Sequence, residues 1–186
     1  HRWYPYPNVN VWKTPYASEH RAGRCCRLAA PPHLALAVLL NGHHQRFGEL
    51  LHQGGWHPPL GGQHTIKFEQ SNHVVFEGFD VTGGTSSCIF SEAHNATVRD
   101  VYVHDCPSHG ILGADQNSGS FTLEYSEIAR SGQGDRRHAI YMQSDEVAYP
   151  DTVFRMRYNY VHSATGGVLV RVRHQRAEIH YTWIEG

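Results

Sequence analysis

Two columns of apolar residues run through the C-terminal two thirds of this chain at a fixed distance from each other. The first holds Phe76, Val98, Leu123, Met156 and Ile179. The second holds Val81, Val103, Ile128, Val161 and Ile184, each five residues after its counterpart. A further set, Ile66, Ile89, Ile111, Ile140 and Leu169, precedes them, with successive spacings of 23, 22, 29 and 29 residues. A repeat of 20 to 50 residues marks a solenoid, because one repeat cannot bury its own apolar face and must stack on the next. The constant offset of five, held while the repeat length varies, is the strongest sign of that repeat.

The repeated unit reads as β-structure. Its strand positions are filled by Val, Ile, Phe, Tyr and Thr, which suit a pleated, half-buried surface. Period-two alternation is plain in Val101-Tyr102-Val103-His104. Between strands lie Gly83-Gly84, Pro107-Ser108, Gly132-Gln133-Gly134 and Gly166-Gly167, all turn formers. No amphipathic helix fits between them. Composition agrees: 18 glycines, 10 tyrosines and only two lysines, Lys13 and Lys67, are unlike a helical bundle. Beside the Phe76 column runs Glu77, Arg99, Glu124, Arg157 and His180. If the coils stack in register, opposite charges meet on neighbouring rungs, each pair contributing roughly 0.2–1 kcal/mol.

Residues 1–62 have a different texture, rich in Pro, His and Gly and without a period. They are expected to form an irregular N-terminal cap on the solenoid of residues 63–186, one domain in all, with Trp56 or the Leu34–Leu40 run against Ile66 and Phe76. That run is the longest apolar stretch and far too short to span a bilayer. A net charge of −1 gives no electrostatic footprint of a nucleic-acid binder. The four cysteines, Cys25, Cys26, Cys88 and Cys106, show no C-x-x-C or zinc-finger spacing. They are expected to be buried or free thiols. Asn95-Ala96-Thr97 matches a glycosylation acceptor and reads as a turn.

Val98-Arg99-Asp100-Val101-Tyr102-Val103-His104 and Met156-Arg157-Tyr158-Asn159-Tyr160-Val161-His162, with His109-Gly110-Ile111 and His138-Ala139-Ile140-Tyr141, resemble rungs of the pectate-lyase-like right-handed parallel β-helix superfamily. The resemblance covers residues 64–186. It implies an all-β, right-handed parallel β-helix and a secreted or periplasmic, bacterial, carbohydrate-active protein. Members include polysaccharide lyases, hydrolases, epimerases and non-catalytic surface proteins, and fold alone does not choose among them. Gly166-Gly167-Val168-Leu169-Val170-Arg171-Val172-Arg173 is similar to a lyase rung in which a lysine serves as base; here Arg171 stands in that place. The chain is short for the superfamily, as expected of a fragment or an uncapped stack, and an exposed solenoid end invites self-association.

A polyuronate lyase needs a cation for the uronate carboxylate, a base for the C5 proton and an acid for the leaving oxygen. Arg171 and Arg173 alternate onto one strand face and suit a carboxylate. His138 and His109 hold equivalent places in successive rungs and are candidates for proton transfer, with Tyr141 as acid. Equally, the arginines could be a solvated face and the histidines rung caps. Tyr102, Tyr160 and Trp183 fall in an outward column and are candidates for stacking on sugar rings or for packing on the N-terminal segment. Asp135, Asp145 and Glu146, with Asp151, lie in the long loops of the fourth unit and offer oxygen ligands for Ca²⁺. An N-terminal His1 is a possible copper ligand of an oxidative enzyme. The leading expectation is cleavage of an acidic polysaccharide by β-elimination or hydrolysis. The alternatives are a non-catalytic binding or structural module and a histidine-rich metal protein.

Overall fold

The computed structural model describes residues 64–186, apart from Gln70 and Gly84, and short backbone strands before them. Those strands are β1 (Arg2–Trp3), β2 (Trp12–Lys13), β3 (Arg27–Ala29), β4 (Ala37–Leu40) and β5 (His43–His44). From Ile66 onward the chain is a parallel β-solenoid of five coils, each giving one strand to each of three sheets. The first sheet holds β6 (Ile66–Glu69), β9 (Ile89–Glu92), β12 (Ile111–Gly113), β15 (Ile140–Gln143) and β18 (Val170–Arg173). The second holds β7 (Val75–Glu77), β10 (Ala96–Arg99), β13 (Phe121–Glu124), β16 (Val153–Arg157) and β19 (Arg176–His180). The third holds β8 (Asp80–Val81), β11 (Tyr102–Cys106), β14 (Glu127–Ser131), β17 (Tyr160–His162) and β20 (Trp183–Glu185). At the leading edge β4 pairs antiparallel with β6, and β3 with β7. Trp56 and the side-chain packing expected of the Leu34–Leu40 run lie outside the described residues.

The register matches the repeat. Phe76 pairs with Val98, Val98 with Leu123, Leu123 with Met156 and Met156 with Ile179. Val81, Val103, Ile128, Val161 and Ile184 form the same ladder in the third sheet. Four of the five Phe76-column side chains are at most 1% exposed. Ile179 keeps its register but is 42% exposed, because no described coil packs beyond it. In the first sheet the expected marker Leu169 is displaced: Val170, not Leu169, pairs with Ile140. Leu169 packs at the corner beside the core instead. Two adjacent apolar residues satisfy the same pattern, and only the hydrogen-bond ladder chooses between them.

The five-residue offset has a conformational cause. The residue that follows each second-sheet strand has positive φ: Gly78 (79°), Asp100 (50°), Tyr125 (51°), Tyr158 (58°) and Tyr181 (49°). One left-handed residue turns the chain through the corner in every coil. The flanking charge column is in register as well: Arg99 pairs with Glu77, and Arg157 Nε donates to the buried Glu124 at 2.7 Å.

The cysteine expectation is corrected in part. Cys88 and Cys106 form a disulfide, with Cα atoms 5.6 Å apart and a sequence separation of 18. Cys88 precedes β9 and Cys106 ends β11, so the bond joins the start of a coil's first strand to the end of its third. Cys25 and Cys26 lie outside the described residues.

Two outcomes test this architecture. Val103→Asp, at a fully buried position, should abolish cooperative unfolding, because an unpaired buried charge is costly; thermal denaturation followed by circular dichroism reads it. Reducing the Cys88–Cys106 bond should cost about 3 kcal/mol, seen as a lower denaturation midpoint in reductant, and the Cys88→Ala/Cys106→Ala variant should not respond to reductant.

Candidate functional site

The first sheet presents its odd-register residues outward. Lys67, Phe90, Leu112, Tyr141 and Arg171 form one column down its face. Gln143 and Arg173 form part of the next. At one end Lys67 is consumed by Glu69 at 2.8 Å and Glu92 at 2.9 Å. At the other end the two arginine guanidinium groups flank one ring, with Arg171 5.0 Å and Arg173 5.7 Å from the Tyr141 centroid. Both arginines are exposed. Arg99, Arg130, Arg155, Arg157 and Arg176 each hold a carboxylate. Arg171 and Arg173 hold none among the described residues. The Tyr141 hydroxyl donates to Gln143 Oε1 at 3.0 Å.

His138 and His109 have one structural job in common. His109 Nδ1 accepts the backbone N–H of His138 at 2.9 Å, and His138 Nδ1 accepts that of Val168 at 3.1 Å. Residues 109, 138 and 168 stand in one column, so each imidazole caps an amide of the next coil. Gly167 is required here: at φ 66°, a Cβ would run into His138 Nδ1 and the Arg137 carbonyl. The two rings lie 5.7 Å apart. Burial, and then the charge of Arg171, holds the His138 pKa below its ordinary value. Burial pushes His109 down to about 4.

The second nitrogen of His138 makes the contact of interest. Its Nε2 lies 3.2 Å from Arg171 Nη1. A neutral imidazole accepts at one nitrogen only, so with Nδ1 taken by the Val168 amide the proton is assigned to Nε2. That proton faces a guanidinium that can only donate. Two donors therefore converge without an acceptor between them, beside a second exposed guanidinium. An anion placed there would accept from both.

The other sequence-derived candidates fall elsewhere. Tyr102, Tyr160 and Trp183 belong to the third sheet, not to the face of Arg171, and Glu127 separates Tyr102 from Tyr160. Tyr102 stacks on His104 and accepts from Arg130; Tyr160 stacks on His162 and donates to Glu185. Trp183 is 52% exposed. Asp145 accepts the backbone N–H groups of Asn117, Val147 and Ala148, which builds a turn. Asp135, Glu146 and Asp151 are exposed, and among the described residues no three His, Cys, Asp or Glu side chains converge to hold a metal ion. His1 lies outside the described residues. Among the described residues no helix is long and apolar enough to cross a membrane.

Two features escaped the sequence reading. Tyr125, Tyr158 and Tyr181, the left-handed corner residues, stack with ring centroids 5.0 and 5.1 Å apart. Their equal distance from the apolar columns was the signal available. On the third sheet, His104 lies between Asp80 at 2.7 Å and Asp105 at 2.5 Å. Burial disfavours its charge, but the two carboxylates outweigh that and raise its pKa. No protein-family model, curated protein or solved structure matches the chain.

His109 sets a pH dependence. Its folded pKa of about 4 lies below the ordinary 6.5, so the unfolded chain binds the extra proton in the window between them. Its contribution is complete above about pH 6.5 and falls as pH drops toward 4, at about 1.4 kcal/mol per pH unit at most. His109→Asn, whose amide oxygen can still accept the His138 N–H, should flatten that dependence. Urea unfolding of both proteins at pH 4.5 and 7 checks it.

Proposed function

We propose that the protein binds an acidic polysaccharide on the outer face of the first sheet, with a uronate carboxylate seated between Arg171 and His138. The observation that carries this reading is the donor–donor contact of Arg171 Nη1 and His138 Nε2 at 3.2 Å. A carboxylate accepts both hydrogens at once, and charge-assisted bonds of this kind are the stronger ones. Arg173 supplies a second cation, and the outward column of Tyr141, Leu112 and Phe90 offers apolar and aromatic surface for sugar rings. A strand-to-strand rise of roughly 4.8 Å along this column suits an extended polymer lying across several coils.

The same geometry argues for binding over β-elimination with His138 as base. The nitrogen that faces outward carries the proton, and the nitrogen with the lone pair is committed to Val168. Neutral His138 can thus donate a hydrogen bond to the bound carboxylate but has no free lone pair to take a C5 proton. Arginine stays charged and does not serve as a base at neutral pH.

Binding to polygalacturonate and alginate, measured calorimetrically, should be salt-sensitive and absent for neutral glucans. Arg171→Ala should weaken it at least about tenfold, as expected for loss of a charge-assisted hydrogen bond, with little change in thermal stability because the side chain is exposed. Equal affinity for neutral glucans, or unaltered binding by Arg171→Ala, would overturn the proposal. Ultraviolet absorbance from unsaturated sugar ends in the same mixtures would show elimination and return a base to the site.

A further inference from the structure

The corner that closes the third sheet repeats one stereochemical device with different residues. One left-handed residue stands at the same register position in three coils: Asp105 (φ 50°) and Arg130 (φ 46°), each next to last in β11 and β14, and Ser163 (φ 51°), just after β17. Asp105 and Ser163 there contact the histidine before them, while Arg130 reaches Asp105 of the preceding coil. In the second coil Asp105 reaches His104 Nδ1, and His104 Nε2 reaches back one coil to Asp80. In the fourth coil Ser163 Oγ lies 2.9 Å from His162 Nδ1, and His162 Nε2 lies 2.9 Å from Glu127 Oε1. A hydroxyl and an imidazole of the fourth coil and a carboxylate of the third are therefore linked in sequence.

The environments of the three groups differ. Glu127 is 4% and His162 6% exposed, while Ser163 is exposed. The carboxylate accepts the Nε2 proton and so fixes the tautomer. Nδ1 then carries the lone pair and faces the serine hydroxyl. The ring is held against rotation by Tyr160, stacked at 4.1 Å. The connection that follows is fastened to the preceding coil: Thr165 N–H donates to Ser131 O at 3.0 Å and Thr165 Oγ1 to Gly132 O at 2.6 Å. A nucleophile touching a base, the base touching a buried orienting acid, and the nucleophile open to solvent are the geometry of an activated nucleophile.

We infer that Glu127, His162 and Ser163 form a nucleophilic relay that cleaves carboxylic esters of short-chain acids. Ser163 Oγ bonds to the acyl carbon while its proton passes to His162 Nδ1. Glu127 stabilises the imidazolium that results. The bond between acyl carbon and alkoxy oxygen breaks, and the proton on Nδ1 goes to the departing alcohol. Water then adds to the acyl carbon and gives a proton to Nδ1. The Ser163 ester bond breaks, that proton returns to Oγ, and the free acid leaves. No metal or redox partner is needed. The hydroxyl stands on an open corner, so the fitting substrate is an ester carried on a larger molecule that presents it to the surface. This site lies on the third sheet and does not depend on the polysaccharide reading of the first.

The test uses the whole chain with p-nitrophenyl acetate and with a fluorophosphonate probe. The expected results are release of p-nitrophenol and one phosphonyl adduct, mapped by mass spectrometry to the peptide holding Ser163. Ser163→Ala should remove the adduct and lower turnover by roughly 10²–10⁴-fold while the melting temperature stays put. Ser163→Cys should instead become alkylatable by iodoacetamide at neutral pH. Glu127 is a positioning residue: Glu127→Gln should slow labelling of Ser163 and lower kcat for p-nitrophenyl acetate with little change in KM, a split that a merely structural role would not give. Absence of an adduct on Ser163 in the unaltered protein, or unchanged ester turnover in Ser163→Ala, overturns the proposal.

Discussion

The single left-handed residue at the corner between the second and third sheets is what the rest of the solenoid depends on. Because that corner always takes the same number of residues, the inward columns of both sheets stay aligned however long the loops elsewhere become. A left-handed conformation costs a non-glycine residue roughly 1–2 kcal/mol, yet Asp100, Tyr125, Tyr158 and Tyr181 all adopt it. Stacking recovers part of that. Each aromatic contact between successive corner tyrosines is worth about 0.5–1.5 kcal/mol, and the tyrosines lie one above another only because the corners are in register. The strain and its compensation therefore come from the same geometric repeat.

Stacking in register also converts sequence position into chemistry. A carboxylate and a guanidinium 33 residues apart, Glu124 and Arg157, meet because their strands are neighbours. His109 and His138 each hold an amide of the following coil for the same reason. One consequence is that a histidine in such a column has already committed one nitrogen to the fold. What remains for function is the other nitrogen and whatever the next coil places beside it. For His138 that neighbour is Arg171. The candidate anion site is thus a by-product of the capping column at the coil where an outward arginine follows.

Much of the fold was legible because inward residues obey a period that the hydrogen-bond ladder then enforces. The second- and third-sheet columns were read residue for residue. The slip from Leu169 to Val170 arose where two apolar neighbours left hydrophobicity indifferent between them. The disulfide was illegible for a different reason: Cys88 and Cys106 meet only once the chain has passed through all three sheets of one coil, and no local spacing rule describes that closure. Of the candidate site, the proximity of His138, Arg171, Arg173 and Tyr141 followed from their shared rung positions. The direction of the His138 proton did not, since it is decided by the Val168 amide, a backbone group with no signature in the residue types. Tyr102, Tyr160 and Trp183 shared a column as expected, but a column belongs to one sheet, and sequence order alone did not separate that sheet's face from the arginines'.

The two histidines of the third sheet show how little change turns a structural group into a reactive one. His104 and His162 have the same ring neighbours in kind: a stacked tyrosine, a carboxylate from the preceding coil on Nε2, and the left-handed corner residue on Nδ1. At His104 the corner residue is Asp105, itself bound by Arg130 at 2.8 Å. Two carboxylates, one on each ring nitrogen, favour the imidazolium and raise the His104 pKa against the cost of burial. At His162 the corner residue is Ser163, which can donate. One carboxylate then suffices to fix the proton on Nε2, and the lone pair on Nδ1 is left facing a hydroxyl. The backbone is the same in both coils. The difference between the two imidazoles lies in whether the corner side chain accepts or donates a single hydrogen bond.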